Sequence, residues 1–200
     1  MVALREQLES LHAHLRRHVA LSDADLAEID KAFLPFTVPR RKLLLEAGEV
    51  ATHEHYVVSG CLRTYLLDSK GNEHTLAFAI EDWWTGDLRS FNGRVPSYLF
   101  IEALEDTTVL RIERGDFDDL FTRVPLMDRF FRLLLARAFS ASQERIYEEH
   151  AISVGERLLS CRKRYPWLEQ RIPQKHIASY LGVTPEFLSR NRTKLLGLKS

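Results

Sequence analysis

The stretch Leu126–His150 restricts the folding of this chain more than any other, because its 25 residues include neither glycine nor proline. Pro125 precedes it, at a first-turn position where a missing N–H costs no hydrogen bond. The sequence therefore predicts one helix from about Pro125 to His150, about 37 Å long at 1.5 Å per residue.

This predicted helix carries more apolar surface than one neighbour can cover. Its main stripe repeats at three- to four-residue spacing and consists of Met127, Phe131, Leu134, Ala138 and Ala141. Other apolar residues widen the surface, namely Phe130, Leu133, Leu135 and Phe139. One face can cover a neighbouring domain, and the main stripe finds a second partner most simply in the same helix of another subunit. We expect a homodimer through the main stripe; packing against the N-terminal helices is the alternative.

The chain before the long helix predicts N-terminal helices followed by a β-rich region. Leucines at three- to four-residue spacing indicate helix within residues 3–34, and Ser22-Asp23 offers an N-cap for a second short helix. Turn residues then recur about every 8–12 residues between β-rich runs, which is typical of an antiparallel sandwich or barrel. The predicted strands are 42–45, 56–58, 62–67, 74–80, 100–104 and 108–112, and a short helix follows at 116–121.

Composition excludes several classes of protein. With 200 residues, 45 % of them hydrophobic, the chain has ample apolar material for one large domain or two small ones. It has no apolar run of membrane-spanning length, and its N-terminus lacks the apolar core of a signal peptide. Cys61 and Cys161 lie far apart, so they predict neither a disulfide framework nor a four-thiolate metal or iron–sulfur site. We expect a cytoplasmic protein with no membrane partner.

The C-terminal quarter is basic although the whole chain is neutral. From Ala151 onward ten lysines and arginines face three glutamates, a formal charge of +7, so residues 1–150 carry −7. A basic segment on an acidic body indicates a polyanionic partner for that segment alone. A solvated helical surface is the alternative.

The segment Gln174–Arg190 has the pattern of a helix-turn-helix. Ala178 is small where two helices would cross, and Gly182 can take the positive φ that ends the first helix. Val183 would fill the corner, while Thr184 as N-cap and Pro185 in the first turn begin the second helix. Leu188 would point back into the helix pair. A preceding helix is predicted to open at Ser153, whose spacing to Glu156 fits a capping box.

The second helix of this pair would present polar residues suited to reading DNA. Helices in the major groove contact bases through N-terminal side chains and phosphates through cations. The predicted outward residues are Glu186, Ser189, Arg190 and Thr193, with Lys194 at the edge; the predicted phosphate contacts are Lys175, His176 and Thr184. Asn191 stands where an apolar side chain is expected, and a buried, unpaired amide there would cost about 1–3 kcal/mol. A helical hairpin that does not bind DNA is the alternative.

These features together resemble the Crp/Fnr family of bacterial transcription regulators over nearly all 200 residues. The frame Gly48-Glu49, Gly60 and Gly71 is similar to that of the family's cyclic-nucleotide-binding domain. The most specific resemblance is the segment from Ile177-Ala178 to Arg190, where the family's base-reading Glu and Arg correspond to Glu186 and Arg190. The residue before that Glu, often another contact in the family, is Pro185, which cannot serve.

The resemblance implies an α+β fold whose core is an antiparallel jelly-roll β-sandwich. It implies a sensor domain with N-terminal helices (1–124), a dimerisation helix (125–150) and a helix-turn-helix domain (151–200). Its family partners would be duplex DNA, a second subunit, a small effector and RNA polymerase. The family's β-hairpin wing is expected to be missing, since only residues 197–200 follow the second helix.

The expected ligand site departs from the family's phosphate-binding cassette. Trp84-Thr85-Gly86-Asp87-Leu88 is similar to its start, with Asp87 for the family's Glu, but Val95-Pro96-Ser97-Tyr98 replaces its Arg and following hydroxyl residue. Losing the arginine removes a charge-assisted bond to phosphate. The expected ligand is therefore not cyclic AMP, and another anion, a carboxylate or no ligand remain open. The candidate ligand residues are Trp84, Gly86, Asp87, Leu88, Arg89 and Ser97.

Two other classes of function stay open on the sequence. His53 and His55 would lie on one face of a strand, as in cupin metal enzymes, but the third ligand of that motif is missing and His74 is the only nearby candidate. The chain could also be a ligand-binding sensor module whose DNA-binding region has degenerated. We expect a DNA-binding regulator with no enzymatic activity, no metal and no certain cofactor.

Overall fold

The computed structural model describes residues 4–195, with the side chains of residues 4–191. Its helices are α1 (Leu4–Arg16), α2 (Asp23–Ala32), α3 (Leu88–Gly93), α4 (Arg114–Arg123), α5 (Leu126–Ala151), α6 (Val154–Arg164), α7 (Leu168–Arg171), α8 (Gln174–Tyr180) and α9 (Pro185–Leu195). Its strands are β1 (Leu34–Val38), β2 (Leu43–Leu45), β3 (His53–Ser59), β4 (Leu62–Leu67), β5 (Glu73–Ala79), β6 (Trp84–Thr85), β7 (Phe100–Ala103) and β8 (Thr107–Glu113). No described helix is long and apolar enough to cross a membrane.

The strands form two four-stranded sheets, ordered β1-β8-β3-β6 and β2-β7-β4-β5, and their core faces are lined by alternate residues. Strands β3 and β8 are antiparallel, with Tyr56 opposite Leu110 and His55 opposite Arg111. Successive side chains of a strand point to opposite faces, so these two pairs lie on opposite sides of the same sheet. The jelly-roll sandwich predicted from the sequence is confirmed.

The helical side of this sheet is closed by α1 and the beginning of α5. Tyr56 is fully buried, and its hydroxyl lies 3.0 Å from Ser10 Oγ and donates to Asp82 at 2.6 Å. Trp84 packs edge-on against Phe131, 5.0 Å between ring centroids, and its indole N–H donates to His14 Nε2. This cluster of aromatic side chains fixes the first turns of α5 on the sandwich.

Two strands escape prediction from sequence patterns. Strand β1 contains Pro35, and it lies at a sheet edge, where proline is tolerated because that side of the strand needs no ladder partner. Strand β6 has two residues, too few to show alternation. The predicted N-terminus of the second helix is confirmed, because Ser22 and Asp25 form a reciprocal capping box.

The chain divides into two compact units, one comprising residues 1–66 and 77–134, the other residues 67–76 and 135–200. The division falls within α5 and not at the predicted boundaries. The tip of the β4–β5 hairpin thus belongs with the C-terminal helices, although it follows strands of the sandwich in sequence.

The predicted dimer stripe on α5 needs correction. Met127 and Phe131 are buried in the core of their own unit and cannot serve a second subunit, whereas Leu134 is half-buried and packs partly against that core. Ala138 and Ala141 are exposed. The large apolar side chains of α5 that remain uncovered are Leu135, Phe139, Ile146 and Tyr147, at 42 %, 65 %, 58 % and 61 % exposure. Sequence periodicity detects apolar spacing but cannot tell which stripe the protein's own core has already covered.

Candidate nucleic-acid interface and sensor site

The turn between α8 and α9 has the geometry predicted from its glycine. Gly182 has φ +69°, and the Val183 N–H donates to the Ala178 carbonyl while the Gly182 N–H donates to that of Ser179. These two bonds form a Schellman motif, which satisfies carbonyls that the end of α8 would otherwise leave free. The Thr184 hydroxyl then accepts the Phe187 N–H at 3.2 Å and caps α9.

A small core holds the two helices together. Ala178 and Leu188 are buried at their crossing, as predicted, with Ile177 and Leu181 beside them. Helix α6 contributes Leu158 to this core and begins with the predicted capping box between Ser153 and Glu156. The face of α9 opposite Leu188 is therefore left outward.

That outward face carries most of the predicted DNA-reading residues. Glu186, Ser189 and Arg190 are exposed and lie at positions i, i+3 and i+4 of α9, on one face of the helix. Thr184 and Lys175 are exposed near its N-terminus. The side chains of Thr193 and Lys194 lie outside the described residues, as does the segment 197–200 on which the absence of a wing was predicted.

Two predictions about this region need correction. His176 is only 4 % exposed, so it is a buried residue of the helix pair and cannot contact phosphate. Asn191 is half-buried and not unpaired, because its side-chain amide donates to the Phe187 carbonyl at 2.9 Å. A side chain four residues after a carbonyl can bond it along the helix, so Asn191 carries no penalty for a missing partner.

The tip of the β4–β5 hairpin contacts α8 within the C-terminal unit. The Ser179 hydroxyl donates to the Glu73 carbonyl at 2.6 Å and accepts the Thr75 N–H at 2.9 Å. The Arg145 guanidinium donates to the Thr75 carbonyl at 2.8 Å. These bonds satisfy peptide groups at the hairpin edge, and sequence reasoning did not anticipate them.

The six candidate ligand residues do not come together as one site. Gly86 and Asp87 line a cavity in the sandwich, whereas Trp84 belongs to the aromatic cluster described above. Leu88 is exposed, and Arg89 is directed toward the Pro96 carbonyl and the Tyr98 ring. The buried Ser97 hydroxyl donates to Asp87 at 2.7 Å.

The Asp87 carboxylate accepts hydrogen bonds from neighbouring groups of the protein. Besides Ser97, it accepts the Ser90 N–H at 3.1 Å and so caps α3. Both oxygens of this carboxylate therefore already accept one hydrogen bond from the protein itself. The departure from the family's cassette thus extends from residue types to geometry.

The cavity that Gly86 and Asp87 line has a volume of about 300 Å³ and lies between the two sheets. His55 and Arg111 face it from β3 and β8, and Leu45 and Ile101 face it from β2 and β7. The remaining lining residues are Phe36, Leu44, Glu49, Val50, Ala51, Thr52 and His53. Sequence reasoning missed Arg111; its signal is a single charge within the otherwise uncharged run 108–112.

The histidines facing the cavity are held in the neutral form. Burial lowers the pKa of His55 to about 3, and the positive charges of His53 and Arg111 act in the same direction. Burial also lowers the pKa of His53, with Arg111 contributing. Among the described residues no group of three His, Cys, Asp or Glu side chains could hold a metal, so the cupin-like alternative gains no support from the geometry.

The buried carboxyl group of Glu54 lies next to Gly86, on the face of β3 opposite that of His55. Glu54 is 5 % exposed, and a Cβ on Gly86 would clash with its carboxyl oxygens, so a larger residue there would require the Glu54 side chain to shift. Burial raises the pKa of Glu54 to about 8, with the charge of Asp87 adding to the effect. Glu54 is therefore protonated at neutral pH, and it was not among the residues singled out from the sequence.

Comparison with known proteins places these features in context. Residues 35–124 match a family model described as the cyclic nucleotide-binding domain. The regulatory protein HlyX of Actinobacillus pleuropneumoniae is 25 % identical over 184 residues, covering 85 % of this chain and 75 % of that protein. The transcriptional regulatory protein btr of Bordetella pertussis is 28 % identical, covering 76 % of this chain and 67 % of that protein.

Solved structures have a similar fold. FixK2 from Bradyrhizobium japonicum superposes with a TM-score of 0.70 at 22 % identity, covering 82 % of this chain and 84 % of its own. The catabolite activator protein of Thermus thermophilus gives a TM-score of 0.58 at 25 % identity, covering 92 % and 87 %. The similarity thus includes both the sandwich and helices that follow it.

Proposed function

Since the chain belongs to the Crp/Fnr family of bacterial transcription regulators, we propose that it is a homodimer that binds duplex DNA through α9. The observation that carries the proposal is the outward face of α9. Glu186, Ser189 and Arg190 are exposed there, on a helix held by the buried Leu188. No catalytic role is assigned to the protein.

The exposed residues of α9 fit the chemistry of a major-groove surface. Arg190 can donate two hydrogen bonds to guanine, and Glu186 can accept one from the amino group of cytosine. Within residues 4–191, the side chain of Arg190 bonds the Glu186 carbonyl of its own helix at 3.3 Å, a long bond that contact with a base can replace. Lys175 and the capping Thr184 supply phosphate contacts.

The second subunit would bind along the uncovered face of α5. Leu135, Phe139 and Ile146, with Ser142 between them, lie at intervals of four, three and four residues, which is the spacing of a coiled-coil seam. A two-fold dimer places two copies of α9 about 34 Å apart, one turn of DNA. The bound sequence would then be a palindrome.

The sandwich would act as the sensor for a small effector, and RNA polymerase would be the partner of the DNA-bound dimer. Such a role on chromosomal DNA places the protein in the cytoplasm. A cyclic nucleotide is disfavoured as the effector, because Val95-Pro96 stands where the family has its phosphate-binding arginine and the Ser97 hydroxyl donates to Asp87.

Selection of bound sequences from random duplex DNA tests the proposal. The selected duplex is then titrated with the wild type, Arg190→Ala, Lys175→Ala and the control Arg40→Ala, an exposed arginine of the sandwich unit. Arg190→Ala should weaken specific binding by about 1–3 kcal/mol and relax the preference at one base pair. Lys175→Ala should weaken binding to all sequences alike and reduce the salt slope by about one.

Failure to enrich any sequence would contradict the proposal. An Arg190→Ala protein with unchanged affinity and unchanged preference would remove α9 from base recognition. A loss in Arg40→Ala equal to that in Lys175→Ala would mean that the effect reflects total charge and not this surface.

A further inference from the structure

Two buried polar atoms at the cavity lined by His55 and Arg111, namely Arg111 Nε and His55 Nδ1, have no hydrogen-bond partner among the described residues. We propose that this cavity binds a small organic carboxylate, with the anionic group against Arg111 and the apolar part against Leu45 and Ile101. This inference rests on the proposed regulator function only in regarding that carboxylate as the effector. The volume of about 300 Å³ is at the low end for small-molecule sites, which favours a small ligand.

The first argument is the unpaired donor of Arg111. Its Nε is buried and has no hydrogen-bond partner among the described residues. The guanidinium lies 4.4 Å from the centre of the Phe36 ring, which holds its plane in place without using its N–H groups. Buried donors in native proteins nearly always have a partner, so an unpaired guanidinium edge at a cavity indicates a missing acceptor. A carboxylate fits that planar edge with two parallel hydrogen bonds.

The second argument is the free ring nitrogen of His55. This side chain is 7 % exposed and bonds the Thr85 backbone, whereas its Nδ1 has no partner. Residues His55 and Arg111 are directly opposite each other on β3 and β8, so one ligand can reach both. Since burial keeps the ring neutral and its N–H is used in the bond to the Thr85 backbone, Nδ1 is an acceptor, which a hydroxyl group of the ligand would satisfy and a carboxylate would not.

The rest of the lining favours a monoanion with an apolar part. Leu44, Leu45, Val50 and Ile101 supply an apolar part of the remaining wall. The carboxylates of Glu49 and Asp87 also line the cavity, and both already accept hydrogen bonds from their own loops. Two negative groups disfavour a phosphate dianion more than a carboxylate, because like charges at short range repel in proportion to charge.

The test is a titration of the full chain, without DNA, by acetate and benzoate and by the neutral acetamide and benzamide. Calorimetry and the ¹⁵N resonance of the Arg111 Nε report binding. We expect both carboxylates to bind and shift that resonance, and the amides not to do so. Arg111→Gln should weaken benzoate binding about tenfold or more, as expected for loss of a charged hydrogen bond.

Two further variants complete the design. Arg111→Lys keeps the charge and loses the Nε–H, so it should also bind benzoate more weakly. It replaces Arg111→Gln in the titration if that variant does not fold. Arg89→Gln is the control, since Arg89 is exposed on α3 and does not line the cavity. Absence of carboxylate binding, equal binding of the amides, or unchanged binding by both Arg111 variants would each overturn the proposal.

The same preparations are assayed on the selected duplex. A wild type that binds DNA but no carboxylate refutes the cavity assignment alone. A wild type that binds carboxylates through Arg111 but no DNA refutes the regulator proposal and leaves the cavity assignment intact.

Discussion

The buried carboxyl group of Glu54 makes the stability of the sandwich unit depend on pH in a direction opposite to that of most carboxylates. Its Oε1 has no partner, and its pKa is raised from 4.5 to about 8. The folded state therefore keeps a proton that the unfolded chain releases above about pH 4.5. Stability is fully present below that value and is lost as pH rises through 8.

Replacing Glu54 by Gln removes this titration while keeping size and shape. At 1.36 kcal/mol per pKa unit, the titration of Glu54 lowers the free energy of unfolding of the wild type by about 3 kcal/mol at pH 7. Above pH 8.5 it lowers that free energy by about 4–5 kcal/mol. Glu54→Gln should therefore be the more stable protein at neutral and alkaline pH. The gain should shrink toward zero near pH 4.5.

Urea unfolding at several pH values between 5 and 9 measures this difference. In a Trp167→Phe background the remaining tryptophans, Trp83 and Trp84, both lie in the sandwich unit, so their fluorescence reports the unit that contains Glu54. Glu46→Gln is the matched control, because Glu46 is exposed. A gain that does not change with pH, or that falls as pH rises, would refute the assignment of a protonated Glu54.

Three further predictions follow from the same contacts. Phe139→Glu should convert the dimer to monomer in sedimentation, whereas Arg129→Glu, an exposed change on the same helix, should not; a dimeric Phe139→Glu protein would remove that face from the interface. The pKa of His55 is lowered to about 3. As pH falls from 6.5 toward 3, the free energy of unfolding of the wild type should therefore fall by up to about 1.4 kcal/mol per pH unit relative to His55→Gln. Parallel stability curves in urea titrations would contradict this. Gly182→Ala should destabilise the C-terminal unit by about 1–2 kcal/mol, since φ is +69° and a Cβ meets no neighbour there, so the cost is that of the backbone; thermal unfolding with no change would show that the turn relaxes.

Local signals in the sequence were sufficient for most elements of secondary structure. The capping boxes at Ser22 and Ser153, the turn at Gly182 and the long helix after Pro125 all depend on residues within a few positions of one another. Such interactions form in any chain that contains the pattern. The spacing of turn residues predicted an antiparallel sandwich or barrel, and the family resemblance implied the jelly roll.

Burial was the main property that local patterns misjudged. His176 has the spacing of a phosphate contact but lies inside the helix pair, and Met127 has the spacing of a dimer residue but lies inside the core. Both errors have the same physical origin. A helical repeat gives the direction of a side chain relative to its own axis, and what lies in that direction depends on distant parts of the chain.

The sequence by itself determined the local elements, the basic character of the C-terminal segment and the kind of residues on α9. Only the tertiary structure decided which apolar stripe of α5 is left for a partner, that Glu54 is enclosed beside Gly86, and that Arg111 and His55 lie side by side on the wall of one cavity. The reason is that these properties are set by contacts between residues more than thirty positions apart, whose free energies of desolvation appear only when the strands have paired and water has been excluded.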